Sequence, residues 1–472
     1  MIPEILSSRY SSKKINKIWS PEGKIILERE FWIVVMKAQK KLGIKIPNSA
    51  ISAYENVKKK VDLHSISIIE KKLRHDVNSR IEEFCRLAGH NHIHKGMTSR
   101  DLTDNVEQLQ IIQSLRLIRI KTVAFLYKLS DWSKKTKEIV IASRTHNVPA
   151  QPTTLGKRLA MFGEEILFAL KRLDHLIENY PIRGLKGAVG TQLDQMVLLK
   201  GNKEKVRKLS EQILKHFDCK ISLNSVGQVY PRSLDMETVH ALIAVSSGIS
   251  NFAKTIRLMA GQGLASEGFK KGQIGSSAMP HKMNARTSER INGFHNILKG
   301  YGTMLEGLSG DQWNEGDVSC SVVRRVALPG SFFASDGQLE ASLTVISEME
   351  FFETKISEEV NEFLPFIAST RILMEAMNKG SERNIAYGAI KEHANKVALS
   401  IRKSKAEENE FAKRLANDER IPLDLNEIQN IILNLNNFSA SAPTQSEKFY
   451  LEVEKWTSRF PEAKKISPKS IL

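Results

Sequence analysis

Cysteine is scarce in this chain. Only Cys85, Cys219 and Cys320 occur among 472 residues, far apart and odd in number. That argues against a disulfide framework and fits a reducing compartment, so a cytoplasmic location is expected. Long apolar runs are missing too. No uncharged stretch approaches the ~18 residues of a membrane span. Met1-Ile2-Pro3-Glu4 lacks the basic and apolar regions of a signal peptide. A soluble protein with no membrane partner is expected. Blocks of like charge are absent as well: lysines come as Lys13-Lys14, Lys58 to Lys60, Lys134-Lys135, Lys270-Lys271 and Lys464-Lys465, short of the runs that mark interaction tails. There is no low-complexity linker and no repeat of solenoid period.

What is present is a globular composition, 41% apolar and 26% charged, on a chain long enough to bury a large core. The length suits two to four domains, or one long body with appendages. Lys and Arg outnumber Asp and Glu by 70 to 53, a net charge of +17. Three readings compete: a lysine-rich solvated surface, focused cations for an anionic small molecule, or a nucleic-acid face, which the scattered charge disfavours.

Helical periodicity dominates. Leu102, Val106, Leu109, Ile112 and Leu115 open an apolar stripe that continues to Leu126 and Leu129. It predicts a helix of roughly 30 residues, far above the ~11–12 average, capped by Asp101 or Thr103. Further helices are predicted from about Thr154 to Ile177, Leu234 to Ala260, from Thr287 onward, and Val322 to Glu350. Such helices must bury their stripes on one another, so the fold class is all-α, an elongated bundle with subunit association plausible. Strand signals are few. Three domains are expected: residues 1–98, with turn signals at Pro21-Glu22-Gly23 and Pro47-Asn48-Ser49; a long-helix bundle at 99–351 with a loop at 268–285; and residues 352–472, interrupted at Pro365, Gly380, Pro422 and Pro443.

The segment Gly272-Gln-Ile-Gly-Ser276-Ser277-Ala-Met-Pro280-His-Lys282-Met-Asn284 reads as a loop. Its hydroxyls, amide and cation suit a carboxylate. From composition alone an ordinary surface loop is the favoured reading. His90, His92 and His94 alternate, which can suggest metal, but residues two apart share a face only in extended chain. No Cys or carboxylate cluster completes a site, so no metal is expected.

This loop resembles the signature loop of the fumarase/aspartase superfamily, Gly-Ser-Ser-x-Met-Pro-x-Lys-x-Asn. Gly96-Met-Thr98-Ser99-Arg-Asp resembles its first motif, and Arg144-Thr145-His146-Asn-Val-Pro-Ala-Gln151-Pro-Thr-Thr its second. The order and spacing match over essentially the whole chain. Arg9-Tyr10, Arg74-His75-Asp76, Gly227-Gln228 and Ser288-Glu289-Arg290 look like elements of one branch, the adenylosuccinate lyases. The resemblance implies a three-domain homotetramer with each site built from three subunits, a nucleotide substrate, and β-elimination of fumarate without metal or cofactor.

The resemblance also implies roles. Ser276 is the base, activated by the positive potential of Lys282 and loop amides. His146 is the acid, titrating near neutral pH, and Glu289 orients it. Lys282, Asn284 and loop N–H groups, those of Ser277 included, meet the charge of the intermediate. Thr98 and Ser99 contact the succinyl carboxylate, Gln228 the succinyl or ribose part, Thr145 belongs to the substrate-binding set, and His75, flanked by Arg74 and Asp76, approaches the phosphate or leaving nitrogen. His94 matches a position near the substrate; His90 and His92 belong to the surface. Arg9, Tyr10, Arg290, Ser321 and Arg325 hold the phosphate and remaining anionic groups.

The chain departs from the pattern at four positions. Many members place Arg where Gly316 sits, removing one phosphate cation, for which Arg324 or a lysine could substitute. Met283, Ala285 and Val148 also replace frequent residues. Alternatives are another superfamily lyase, chiefly argininosuccinate lyase, a catalytically silent structural relative, or a basic nucleic-acid-binding protein.

Overall fold

The computed structural model describes residues 4–269, 278–403, 410–434 and 439–468. Helices dominate. The first long one is α1 (Pro21–Lys41). Pro21 and Gly23, signals for a turn in the sequence, instead open this helix. Pro suits the first helical position, where no N–H is needed, and the Ser20 hydroxyl accepts the Gly23 N–H at 3.0 Å. Three shorter helices follow, Asn48–Val57, α2 (Leu63–Leu73) and α3 (Asp76–Ala88).

The body is built from α4 (Ser99–Lys135), a two-stranded ribbon β1 (Val140–Thr145) and β2 (Val148–Thr154), and α5 (Leu155–Glu178). α6 (Lys203–His216), α7 (Ser233–Gly261), α8 (Arg286–Glu306) and α9 (Ser321–Glu348) complete it. The C-terminal part begins with α10 (Glu353–Ile367) and ends with α11 (Ala442–Arg459). Pro365 lies within the last turn of α10 and does not interrupt it.

The stripe of α4 is buried as expected: Leu102, Val106, Leu109 and Leu115 are all at most 3% exposed. Each such side chain contributes roughly 1.5–3 kcal/mol by leaving water. The opposite face is buried too, and its polar groups are matched to fixed acceptors. Asn105 donates to the Gly184 carbonyl (3.0 Å), Gln108 to Pro181 (2.9 Å) and Gln110 to Ile18 (2.6 Å). Lys121 reaches Asp336 and, at 2.5 Å, Glu340 on α9. An unpaired buried group would cost about 1–3 kcal/mol, so these contacts fix the register of α4. Its cap is Thr98, one turn earlier than the sequence suggested; Asp101 accepts the Thr98 N–H at 2.9 Å.

One apolar core runs from Leu6 through Met349 and also takes in Phe449, Val453 and Phe460, so α11 packs back onto the bundle. A second core gathers residues from Val360 to Ile432 together with Ala142 of β1. The ribbon therefore docks on the C-terminal part. Two further two-residue pairings, Pro181–Ile182 with Ile221–Ser222 and Ala265–Ser266 with Glu350–Phe351, tie loops together. Among the described residues no helix is long and apolar enough to cross a membrane.

Candidate active site

The start of α4 is a node. Asp101, fully buried, accepts Arg183 Nη1 at 2.6 Å and the N–H groups of Lys186 (2.8 Å) and Gly187 (3.0 Å). Arg183 in turn donates to the Gly227 carbonyl at 3.0 Å. Arg183 thereby ties the start of α4 to the Gly227–Gln228 loop. The Gln228 N–H donates to Glu315 at 2.6 Å, so the segment before Gly316 backs this loop.

His94 lies just before this node, in a left-handed conformation (φ 60°). Its Nδ1 accepts the Trp32 indole N–H at 3.0 Å. Burial pushes its pKa down, and nearby His75 adds to this against the pull of Asp101, leaving it at about 4. At neutral pH His94 is therefore an uncharged ring with Nε2–H as donor.

A cavity of ≈ 250 Å³ opens next to Ser99. It brings together five of the expected residues: His75, Asp76, Ser99, Ser321 and Arg325. His75 caps α3, its Nδ1 accepting the Asn78 N–H at 3.2 Å. Arg74 precedes it in the left-handed region (φ 52°), which turns the chain from α2 into α3. For Asp76, burial acts to raise the pKa, but Arg80, the Val77 N–H and Arg325 outweigh it and keep the carboxyl ionised.

Lys24, Arg100 and Glu107 also line the cavity and were not anticipated. They come from two helices far apart in sequence and carry no motif. Lys24 stands 3.5 Å from Glu107, and Arg100 pairs with Asp104 at 2.9 Å. Burial works against ionisation of Glu107; Arg324, Lys24, Arg232 and Arg100 overcome it and bring its pKa down to about 2.

Arg324 does not substitute for the cation missing at Gly316. It is 2% exposed and saturated by Asp235 (2.7 Å), Glu107 (2.8 Å) and the Tyr230 hydroxyl. Gly316 itself has φ 138°, and a Cβ there would meet Val229 Cγ2 at 3.0 Å and Gln228 Cβ at 3.3 Å. The backbone here suits glycine, not arginine.

The other expected residues lie elsewhere in the chain. Thr145, His146 and Asn147 form the tip of the β1–β2 ribbon. Thr145 pairs with Val148, and His146 (φ 52°) and Asn147 (φ 63°) make a two-residue turn of the I′ pattern. A non-glycine residue held there costs on the order of 1–2 kcal/mol, the kind of strain that accumulates at functional sites. Arg144 anchors the ribbon to Glu359 on α10, and Gln151 donates to Thr370 at 3.0 Å. His146 stands exposed.

Lys282 and Asn284 precede α8. That helix begins on the Glu267 carboxylate, which accepts the N–H groups of Thr287 (2.9 Å) and Ser288 (2.8 Å). Glu289 is exposed and 3.9 Å from Arg257, and Arg290 follows it on α8. Among the described residues no hydrogen bond joins Glu289 to His146. Arg9 and Tyr10 end a short turn, Leu6–Tyr10, that packs against Phe294 edge-on at 5.2 Å. Ser276 and Ser277 lie outside the described residues. A single chain thus presents the expected residues as separate groups.

Residues 8–297 match the sequence model of the lyase family, and residues 365–449 match that of the adenylosuccinate lyase C-terminus. Solved structures similar to this chain include a 3-carboxy-cis,cis-muconate lactonizing enzyme from Pseudomonas putida (TM-score 0.81, 16% identity, 96% of this chain and 100% of that one). A fumarate lyase from Mesorhizobium sp. BNC1 is similar too (TM-score 0.79, 18% identity, 94% and 98%). These establish the fold, and with the family match they define the class: a helical lyase of the fumarase/aspartase type. Adenylosuccinate lyase of Schistosoma mansoni is 32% identical over 88% of this chain and 87% of its own length, and that of Saccharomyces cerevisiae 30% identical over 94% and 93%. The chain belongs to the adenylosuccinate lyase family.

Proposed function

We propose that this chain cleaves adenylosuccinate to AMP and fumarate, and the succinyl-carboxamide ribonucleotide SAICAR to AICAR and fumarate, as a cytoplasmic homotetramer. The observation that carries the reading is the cavity at the start of α4. It joins His75, Asp76, Ser99, Ser321 and Arg325 with the further cations Lys24 and Arg100, a setting for a phosphate-bearing substrate. The near-full-length similarity to enzymes named adenylosuccinate lyase supports the same substrate.

In the reaction, Ser276 takes the proton beside the succinyl carboxylate. Lys282, Asn284 and loop N–H groups, including that of Ser277, stabilise the resulting aci-carboxylate. His146, polarised by Glu289, protonates the leaving nitrogen. Thr98 and Ser99 hold the succinyl end, Gln228 the succinyl or ribose part, and Thr145 and neutral His94 complete the substrate contacts. Arg9, Tyr10, Arg74, His75, Asp76, Arg290, Ser321 and Arg325 hold the nucleotide. The exposed His146 tip and the separation of the groups within one chain support a site completed by neighbouring subunits. Three free cysteines fit a reducing cytoplasm.

The test is fumarate release by the purified protein from adenylosuccinate, with argininosuccinate in parallel. Release from adenylosuccinate alone is expected. Release from argininosuccinate alone would move the substrate, and release from neither by an intact tetramer would remove the enzymatic reading.

A further inference from the structure

A second cavity, of ≈ 540 Å³, lies between the loop before Lys200 and α6. None of the residues assigned above to substrate or catalysis lines it. Its basic side chains are Lys186, Lys203 and Arg207, and no Asp or Glu is among its lining residues.

Lys186 is the unusual member. It is 8% exposed, and its ammonium has no hydrogen-bond or ion-pair partner among the described residues. Its backbone is pinned: the N–H donates to Asp101 at 2.8 Å and the carbonyl accepts the Gln192 N–H at 2.9 Å. The side chain is thereby held towards the cavity. Burial, with help from Arg183 and against Asp101, lowers its pKa. The stem is buried while the unpaired ammonium opens to the cavity, so an anion entering there meets a charge with no competing partner among the described residues.

Lys203, exposed at the rim, has no ion-pair partner among the described residues either. Arg207 is already matched by Glu204 at 2.6 Å and by Glu211. The cavity therefore offers two uncompensated ammonium charges. Thr191, Ser210 and Ser222 add hydroxyls, and Met196 and Val206 an apolar floor. A phosphate monoester carries about −1.5 to −2 near neutral pH, which two lysines match as point charges. We propose that this cavity is a second site, separate from the catalytic one, for a phosphorylated small molecule whose phosphate sits between Lys186 and Lys203.

The probe is inorganic phosphate. The readout is the rate at which acetic anhydride modifies Lys186 in the full-length protein, followed by mass spectrometry at constant ionic strength. Saturating phosphate is expected to slow modification of Lys186 at least fivefold, while chloride does not. In Lys203→Met the protection is expected to disappear with fumarate release unchanged. Equal protection by chloride, no protection, or protection that survives Lys203→Met would each overturn the proposal. Fumarate release from adenylosuccinate in the same samples reports on the catalytic reading independently.

Discussion

Restoring arginine at position 316 sets two effects against each other. The side chain would add a cation to the segment that leads into Ser321 and Arg325. The backbone opposes it: φ is 138°, and the new Cβ would stand 3.0 Å from Val229 Cγ2 and 3.3 Å from Gln228 Cβ. A side chain forced into a glycine-only conformation costs about 1–3 kcal/mol. Unfolding entropy scales at roughly 2.1 cal/mol/K per residue, so for a chain of this length the melting temperature should fall by about 1–3 °C. Because the Gln228 N–H is bonded to Glu315 at 2.6 Å, relief of the clash must also move Gln228. Gly316→Arg is therefore expected to melt earlier and to show a raised KM for adenylosuccinate. Gly316→Ala, which brings strain without charge, should melt as early. Thermal melts and initial-rate kinetics on both variants decide it. A Gly316→Arg protein as stable as the parent, with a lowered KM, would refute the argument that backbone shape fixes glycine here.

His146→Ala and Ser276→Ala are each expected to lower turnover by roughly 100-fold or more with the assembly intact; kinetics and light scattering check this, and near-normal turnover overturns the role. Arg183→Met leaves Asp101 as a buried unpaired charge, expected to cost about 3–5 kcal/mol and to raise KM through the Gly227–Gln228 loop; urea unfolding and kinetics measure both. His94 has a pKa of about 4 when folded against 6.5 when free. The fold excludes its proton, so its contribution of about 3 kcal/mol is present above pH 6.5 and is lost as pH falls through 4. His94→Gln should flatten the fall in stability over that window, and unfolding curves as steep as those of the parent would contradict the shift.

The long helices were legible because their stripes repeat over many turns, as from Leu102 to Leu129. The segment at Pro21-Glu22-Gly23 was misread because Pro and Gly mark turns and helix starts alike, and only the Ser20 cap separates the two. The ribbon that carries His146 left little trace. β2 holds Pro149 and Pro152, which normally argue against a strand and are tolerated in this two-stranded ribbon. The motif residues were legible through resemblance, yet their grouping was not: His75, Ser99 and Ser321 meet at a cavity, whereas His146 and Lys282 do not line it. Lys24 and Arg100 had no signal at all, since only packing of α1 against α4 makes them neighbours. Arg324 looked like a spare cation in sequence, but Asp235, Glu107 and the Tyr230 hydroxyl consume it.

The central claim is that residues from different subunits complete each catalytic site. It is tested by dissociating His146→Ala and Lys282→Ala proteins, mixing them and allowing them to reassemble. Each variant alone should be nearly inactive. The reassembled mixture is expected to recover roughly a quarter of the parent's fumarate release from adenylosuccinate, the statistical share of sites drawing an intact residue from each of two subunits. A mixture no more active than its parts, with hybrid assemblies confirmed by mass, would contradict the shared site.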